Sequence, residues 1–242
     1  MSKESERERS EEEIEASVNR VKAEAGLHRS EGEKFLQEAR KAGAEADKAA
    51  SEATLFEMEL AKKLHSRAVD LADDDYHNVY RFTGAVAGDT VKKCTQQLTV
   101  WNRMNPGSDI KIIFNSPGGG VIEGMALWDH LQYLKGEGHN ITTVTQGMAA
   151  SMAGILLQAG NTRVMGAEAW LLIHEASYAA MGSHGEVEDT VEWIKKIQER
   201  ILDIFAERST LSKAQIKKRW TRKDWWISST EALKFGFCDE VR

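Results

Sequence analysis

The sequence predicts an α/β domain carrying a mostly helical N-terminal extension. Three observations predict it. From residue 79 onward, apolar runs of strand length alternate with runs of helix length; glycines and other small residues gather where strand gives way to helix; and residues 1–75 contain no Pro, Trp or Tyr but are rich in Ala, Glu and Lys. The boundary is read as extension 1–75 and domain 76–242.

The extension combines high helix propensity with a thin apolar face, in which Phe35, Leu36, Ala39, Ala42, Ala46, Ala49, Ala53, Phe56 and Leu60 form a stripe. One or two helices are expected, with Gly26 and Gly43 as candidate breaks, ending before Asp73-Asp74-Asp75. Residues 1–75 hold 13 Lys plus Arg against 20 Asp plus Glu, a balance of −7, and the remainder 19 against 18, or +1, so the net negative charge of the chain, −6, resides in the extension. Such an arm reads either as a solvated charged helix or as an assembly element, a coiled contact between subunits or with another protein. Its acidity speaks against a nucleic-acid partner.

Within the domain, a strand is expected at 79–83, a helix at 89–103, and a strand at 110–114 from the run Ile110-Lys111-Ile112-Ile113-Phe114. An amphipathic helix is expected at 121–135, then a strand at 141–145 and an apolar helix from Ser151 to Ala159. Short strands are expected at 163–165 and 170–173, and helices at 187–207 and 213–219.

Cys94 and Cys238 lie far apart and form no Cys-x-x-Cys or Cys/His ligand set, so both read as small buried hydrophobes in a reducing compartment, without disulfide or zinc. No membrane span or signal peptide is apparent, which places the chain in the cytoplasm without a membrane partner. His28, His139 and His184 read as exposed, and His130 sits on a helix with no metal-type partner. Trp225 and Trp226 read as packing residues; Glu123, Glu186 and Glu188 read as solvent-facing helix charges.

The candidate chemistry begins at Gly147-Met148-Ala149-Ala150-Ser151-Met152-Ala153, a serine among small residues at a strand-to-helix turn. Such a serine has an exposed hydroxyl and a free amide after it, because the first turn of a helix leaves its amides unpaired. Serine is also a favoured N-cap, and small residues also mark close helix packing. Twenty-three residues on, the strand ending at Ile173 delivers His174, which can take a proton from a hydroxyl and return it to a leaving group. Upstream, Asn115-Ser116-Pro117-Gly118-Gly119-Gly120 can aim bare amides at an oxyanion; no phosphate-binding G-x-x-x-x-G-K-S/T is present, and Gly119 and Met152 are the candidate donors.

Four blocks, NSPGGG, GMAASMAG, LLIHEA and DWWISSTEALKFGFCDEV, resemble in that order the signature blocks of the ClpP family of serine peptidases, over roughly Val79 to Arg242. The resemblance implies the ClpP/crotonase-like spiral of β-α units. It puts the nucleophile on Ser151, the general base on His174 and the orienting acid on Asp224, with Asp189, Asp203 and Glu175 as rivals for that last role. Gly118, Gly120, Val121, Glu175, Ala176 and Ser177 become candidate substrate-binding residues, because the segment 176–185 could pair with an extended peptide by strand addition.

The resemblance thus implies a serine endopeptidase that acts on unfolded polypeptide as a ring-forming homo-oligomer, with no cofactor and no ATP consumed in the bond cleavage itself. Family members have short N-terminal pore loops that help engage an ATP-driven AAA+ unfoldase, whereas this chain has the helical extension, which puts such docking in question. The terminal run Trp226 to Val241 is also similar to the ClpP-like head maturation proteases of tailed phages, whose partners would be capsid proteins. Two other classes stay open: a crotonase-type acyl-CoA enzyme and a catalytically silent assembly subunit.

Overall fold

The computed structural model describes residues 3–242, with side chains from residue 13 onward. Two compact units are present, 1–69 and 70–242. The first consists of most of α1 (Lys3–Ala72), the single helix of the expected one or two, which runs uninterrupted through both candidate breaks, Gly26 and Gly43. An interior glycine costs about 1 kcal/mol relative to alanine, too little to interrupt a helix otherwise made of Ala, Glu, Lys and Leu. The helix ends before Asp73-Asp74-Asp75, as the sequence suggests.

In the second unit a parallel sheet runs in the order β1 (Val79–Thr83), β2 (Ile110–Ser116), β3 (Ile141–Ala150), β4 (Thr162–Met165), β7 (Glu240–Val241). The first four strands are joined through α2 (Gly88–Met104), α3 (Val121–Gly136) and α4 (Met152–Leu157), which bury Leu98, Trp101, Leu127, Leu131, Leu134 and Leu156. Each such side chain contributes about 1.5–3 kcal/mol on leaving water. Asp75 ties the start of the unit to α2 by accepting from the Trp101 indole at 2.7 Å and from Gln97 at 2.6 Å.

Strand β3 changes partner midway. Its first half, Thr142–Thr145, pairs with β4; its second half, Met148–Ala150, pairs with β5 (Trp170–Ile173). The switch occurs where β3 gains residues against β2, between Phe114↔Thr145 and Ser116↔Ala149, with Gly147 at φ 84° in the bend. Strand β5 in turn pairs antiparallel with β6 (Trp225–Ser228), an element that no periodic pattern in the sequence announces. Helices α5 (His184–Glu207), α6 (Lys213–Trp220) and α7 (Ser229–Phe235) complete the unit.

Each of those three helices starts with a reciprocal capping box, Ser183/Glu186, Ser212/Gln215 and Ser228/Glu231. Glu186 is exposed on the helix as expected, and it also serves as a capping group. Hydrogen bonds from Ser183 hold its carboxyl below the usual range. His139 corrects another expectation: it is buried, with Nδ1 2.7 Å from the Ser108 carbonyl oxygen and Nε2 2.8 Å from Asn102 Oδ1, linking α2 to the turn before β2. Trp225 packs on the core as expected, whereas Trp226 stays exposed.

The C-terminal strand is stapled by buried Arg163, which pairs with Asp239 and donates to the carbonyls of Gly236 and Arg208. Burial alone would raise the Asp239 carboxyl. The Arg163 side chain and amide outweigh it and hold the group below its ordinary value.

Candidate active site

Ser151 stands directly at the end of β3, at φ 54° and ψ −123°, a conformation that costs a non-glycine residue about 1–3 kcal/mol and persists only where neighbours enforce it. Those neighbours are identifiable. The Ser151 amide donates to the Leu172 carbonyl on β5 at 2.9 Å, and its own carbonyl accepts from the Gly154 amide at 2.9 Å. Ala149 and Ala150 are buried beneath it.

The register of the strands then brings the other candidates to the same place. β5 and β6 pair as Leu172↔Trp226 and Ile173↔Trp225, and His174 and Asp224 are the residues that flank that last pair, one just past the end of β5 and one just before the start of β6. His174 borders two cavities. One, of about 20 Å³, is shared with Ser151 and is otherwise apolar, lined by Val121, Met152, Ile201 and Phe205 among others. The second is shared with Asp224, Glu175, Ala176 and Ser177. His174 thus shares one cavity with Ser151 and the other with Asp224, and no direct hydrogen bond joins these side chains among the described residues. Such bonds commonly tighten only when substrate binds.

Of the rival acids, Asp203 pairs with Lys213, and Asp189 lies on the first half of α5. Glu175 turns its carboxylate to the Arg222 amide at 3.0 Å, two residues before Asp224, and Arg222 itself adopts φ 55°. No sequence signal marks that contact, because it joins residues 47 positions apart through a backbone group.

The glycine loop approaches the serine as closely as the backbone allows. A Cβ on Gly118, at φ 87°, would lie 2.7 Å from the Ser151 Cβ and 2.9 Å from the Met152 nitrogen. Gly118 spends both its polar groups internally, its amide on Ser116 Oγ and its carbonyl on the Val86 amide. Gly120 donates to the Val86 carbonyl, while Gly119, between them at φ 149°, has an amide with no partner among the described residues. The Met152 amide, first in α4, is likewise unpartnered there. Gly124 leaves the space that the Met152 side chain fills, since a Cβ there would run into it.

This arrangement can carry nucleophilic acyl chemistry, and comparison with known proteins agrees. A sequence model described as Clp protease matches residues 75–242. The chain belongs to the Clp protease family. It is similar to the ATP-dependent Clp protease proteolytic subunits of Bacteroides fragilis, 33% identical over 156 residues covering 63% of this chain and 72% of that protein, and of Bacteroides thetaiotaomicron, 33% over 165 residues covering 66% and 72%. The subunit of Deinococcus radiodurans is 31% identical over 147 residues, covering 60% and 70%. The mixed α/β unit is accordingly a ClpP fold, and the protein is a ClpP-like protease that hydrolyses peptide bonds. No helix among the described residues is long and apolar enough to cross a membrane.

Proposed function

We propose that this chain is a serine endopeptidase in which Ser151, His174 and Asp224 act as the triad and the amides of Gly119 and Met152 as the oxyanion hole. The reading is supported by the Ile173↔Trp225 pair, which His174 and Asp224 flank, by the cavity those two residues share, and by the Ser151 amide bonded to β5.

In this mechanism His174 takes the Ser151 hydroxyl proton as Oγ bonds to the peptide carbonyl carbon. Asp224 fixes the imidazole tautomer and stabilises the cation that forms. The carbonyl oxygen becomes an anion that accepts from the Gly119 and Met152 amides, two donors whose loss individually costs about 3–4 kcal/mol of transition-state stabilisation. His174 then protonates the leaving amine, and water, activated by the same imidazole, releases the acyl group. Apart from the polypeptide and water, the residues named supply every group this chemistry uses.

The substrate is an extended polypeptide, with Ala176 and Ser177 beside its backbone and Val121 at the apolar slot next to Ser151. The slot has room for about one water in its resting state, so a side chain must open it. The working form is a homo-oligomer of ClpP type in the cytoplasm, consistent with two buried, free cysteines. An ATP-driven unfoldase is a candidate partner because the relatives are named ATP-dependent.

The test is a fluorophosphonate probe added to purified protein, followed by peptide mass spectrometry, alongside cleavage of a disordered substrate and chromatographic sizing. Labelling confined to Ser151 and lost in Ser151→Ala is expected. Absence of labelling with the fold intact would sink the reading in favour of a crotonase-type or silent subunit. A capsid-maturation role uses the same chemistry. It draws support from the run Trp226 to Val241 and would show itself as specific cleavage of a phage head precursor.

A further inference from the structure

We infer that α1 is one strand of a parallel two-stranded coiled coil whose partner is α1 of a second copy of this chain. The inference stands apart from the hydrolytic reading. It rests on a seam that alternates steps of four and three without interruption from Ile14 to Leu60: Ile14, Val18, Val21, Ala25, His28, Gly32, Phe35, then Ala39, Ala42, Ala46, Ala49, Ala53, Phe56 and Leu60.

A period of 3.5 identifies what kind of surface this face meets. On a straight helix a strict seven-residue repeat drifts by about 20° per heptad, so over this length it would wander by roughly 130°. No flat surface could follow it. A second helix wound around the first in a left-handed supercoil keeps such a seam in contact along its whole length, roughly 70 Å at 1.5 Å per residue. In the single chain the seam is bare, with Phe35 74% and Phe56 67% exposed. Alanines through the middle let two backbones approach closely.

The charges beside the seam admit a second copy in one direction only. With Val18 at position a, position g holds Glu24, Glu31, Glu38, Glu45, Glu52 and Glu59, six successive heptads of the same acid. In an antiparallel pair of these helices, g faces g, and the two glutamate rows would oppose each other. In a parallel, in-register pair, g faces position e of the next heptad, which holds Arg29, Leu36, Gly43, Ala50, Glu57 and Leu64. Only Glu52 then meets a like charge, while Glu24 meets Arg29 of the second copy. Lysines at 34, 41, 48 and 62 lie outside the seam, three residues after glutamates of that row, and Lys48 reaches Glu52 within the helix at 3.8 Å.

The full chain provides the test, since Cys94 and Cys238 are buried and the parent protein serves as the blank. Ala25→Cys and Ala49→Cys place thiols in the seam near opposite ends, and Ala44→Cys places one on the outer face. Under a glutathione redox buffer, each seam variant is expected to give disulfide-linked dimer in about tenfold excess over the outer-face variant, because only seam positions come within disulfide reach of their own copies. Equal linkage at Ala44, or no linkage at the seam, overturns the inference. Linkage that occurs only when the two seam variants are mixed means an antiparallel pair and overturns the stated orientation.

Discussion

The Ser151 amide donates to the Leu172 carbonyl of β5 at 2.9 Å, two residues before His174, which immediately follows that strand. One hydrogen bond thus fixes the candidate nucleophile to the strand that delivers its candidate base. It also explains how a serine is held at positive φ without a glycine's freedom.

If these residues act as a unit, single removals should be almost as damaging as complete removal. Ser151→Ala and His174→Ala are each expected to lower kcat by about 10⁴-fold to 10⁶-fold with an unchanged unfolding midpoint, and Asp224→Asn by about 10⁴-fold. Steady-state cleavage of a fluorogenic peptide, read beside thermal melting, checks this. An active Ser151→Ala protein removes the mechanism.

Gly119 should not tolerate a side chain. A Cβ there would meet the Val86 carbonyl, and φ 149° is unfavourable for any L residue. Gly119→Ala is expected to lower kcat by about 10²-fold to 10³-fold, as loss of one oxyanion donor does, with KM little changed. A rise in KM alone would point to substrate binding instead.

Glu175 is expected to act through Arg222 on the placing of Asp224. Glu175→Gln keeps an oxygen that can accept from the Arg222 amide and should retain most activity. Glu175→Ala should lose about tenfold to 100-fold in kcat, the scale of a lost supporting contact. Equal activity of both variants to the parent would reduce Glu175 to a bystander.

The Arg163–Asp239 staple makes a stability prediction with a sign. The Asp239 carboxyl sits below its ordinary value in the folded chain, so its stabilising contribution is present above the unfolded value of 3.8 and is lost as pH falls through the lower folded value. Melting temperature should therefore drop on acidification below that range, and less so in Asp239→Asn. Asp239→Ala, which strands buried Arg163 without its partner, should cost about 3 kcal/mol in denaturant titrations.

Native thiols should be inert. Burial pushes the Cys238 thiol up to about 11 and the Cys94 thiol higher still, so neither forms thiolate near neutrality. Iodoacetamide should label them only after denaturation. Rapid labelling of the native protein would contradict their burial.

Much of this was legible in the chain because it is local. Apolar runs marked β2 and β5, and the alternation of strand with helix marked the class. Small residues flanking Ser151 and a histidine closing an apolar strand marked the candidate chemistry. What escaped was set by partners distant in sequence. Strand β6 is short and exists by pairing with β5, far upstream, so Trp225 and Trp226 carried no periodic signal. His139 is buried because Asn102 and Ser108 satisfy its ring, which its own neighbours do not reveal. The uninterrupted course of α1 through its glycines reflects a small propensity penalty spread over a very long element.

Because β3 hands over from β4 to β5 at Gly147, the strands beside the candidate site, β5 and β6, join the sheet only through the end of β3. Loosening β5 and β6 would release Ser151, His174 and Asp224 together while the five-stranded remainder kept its ladder. Amide exchange should therefore open this corner as one cooperative patch, and inactivation on mild heating should precede global melting.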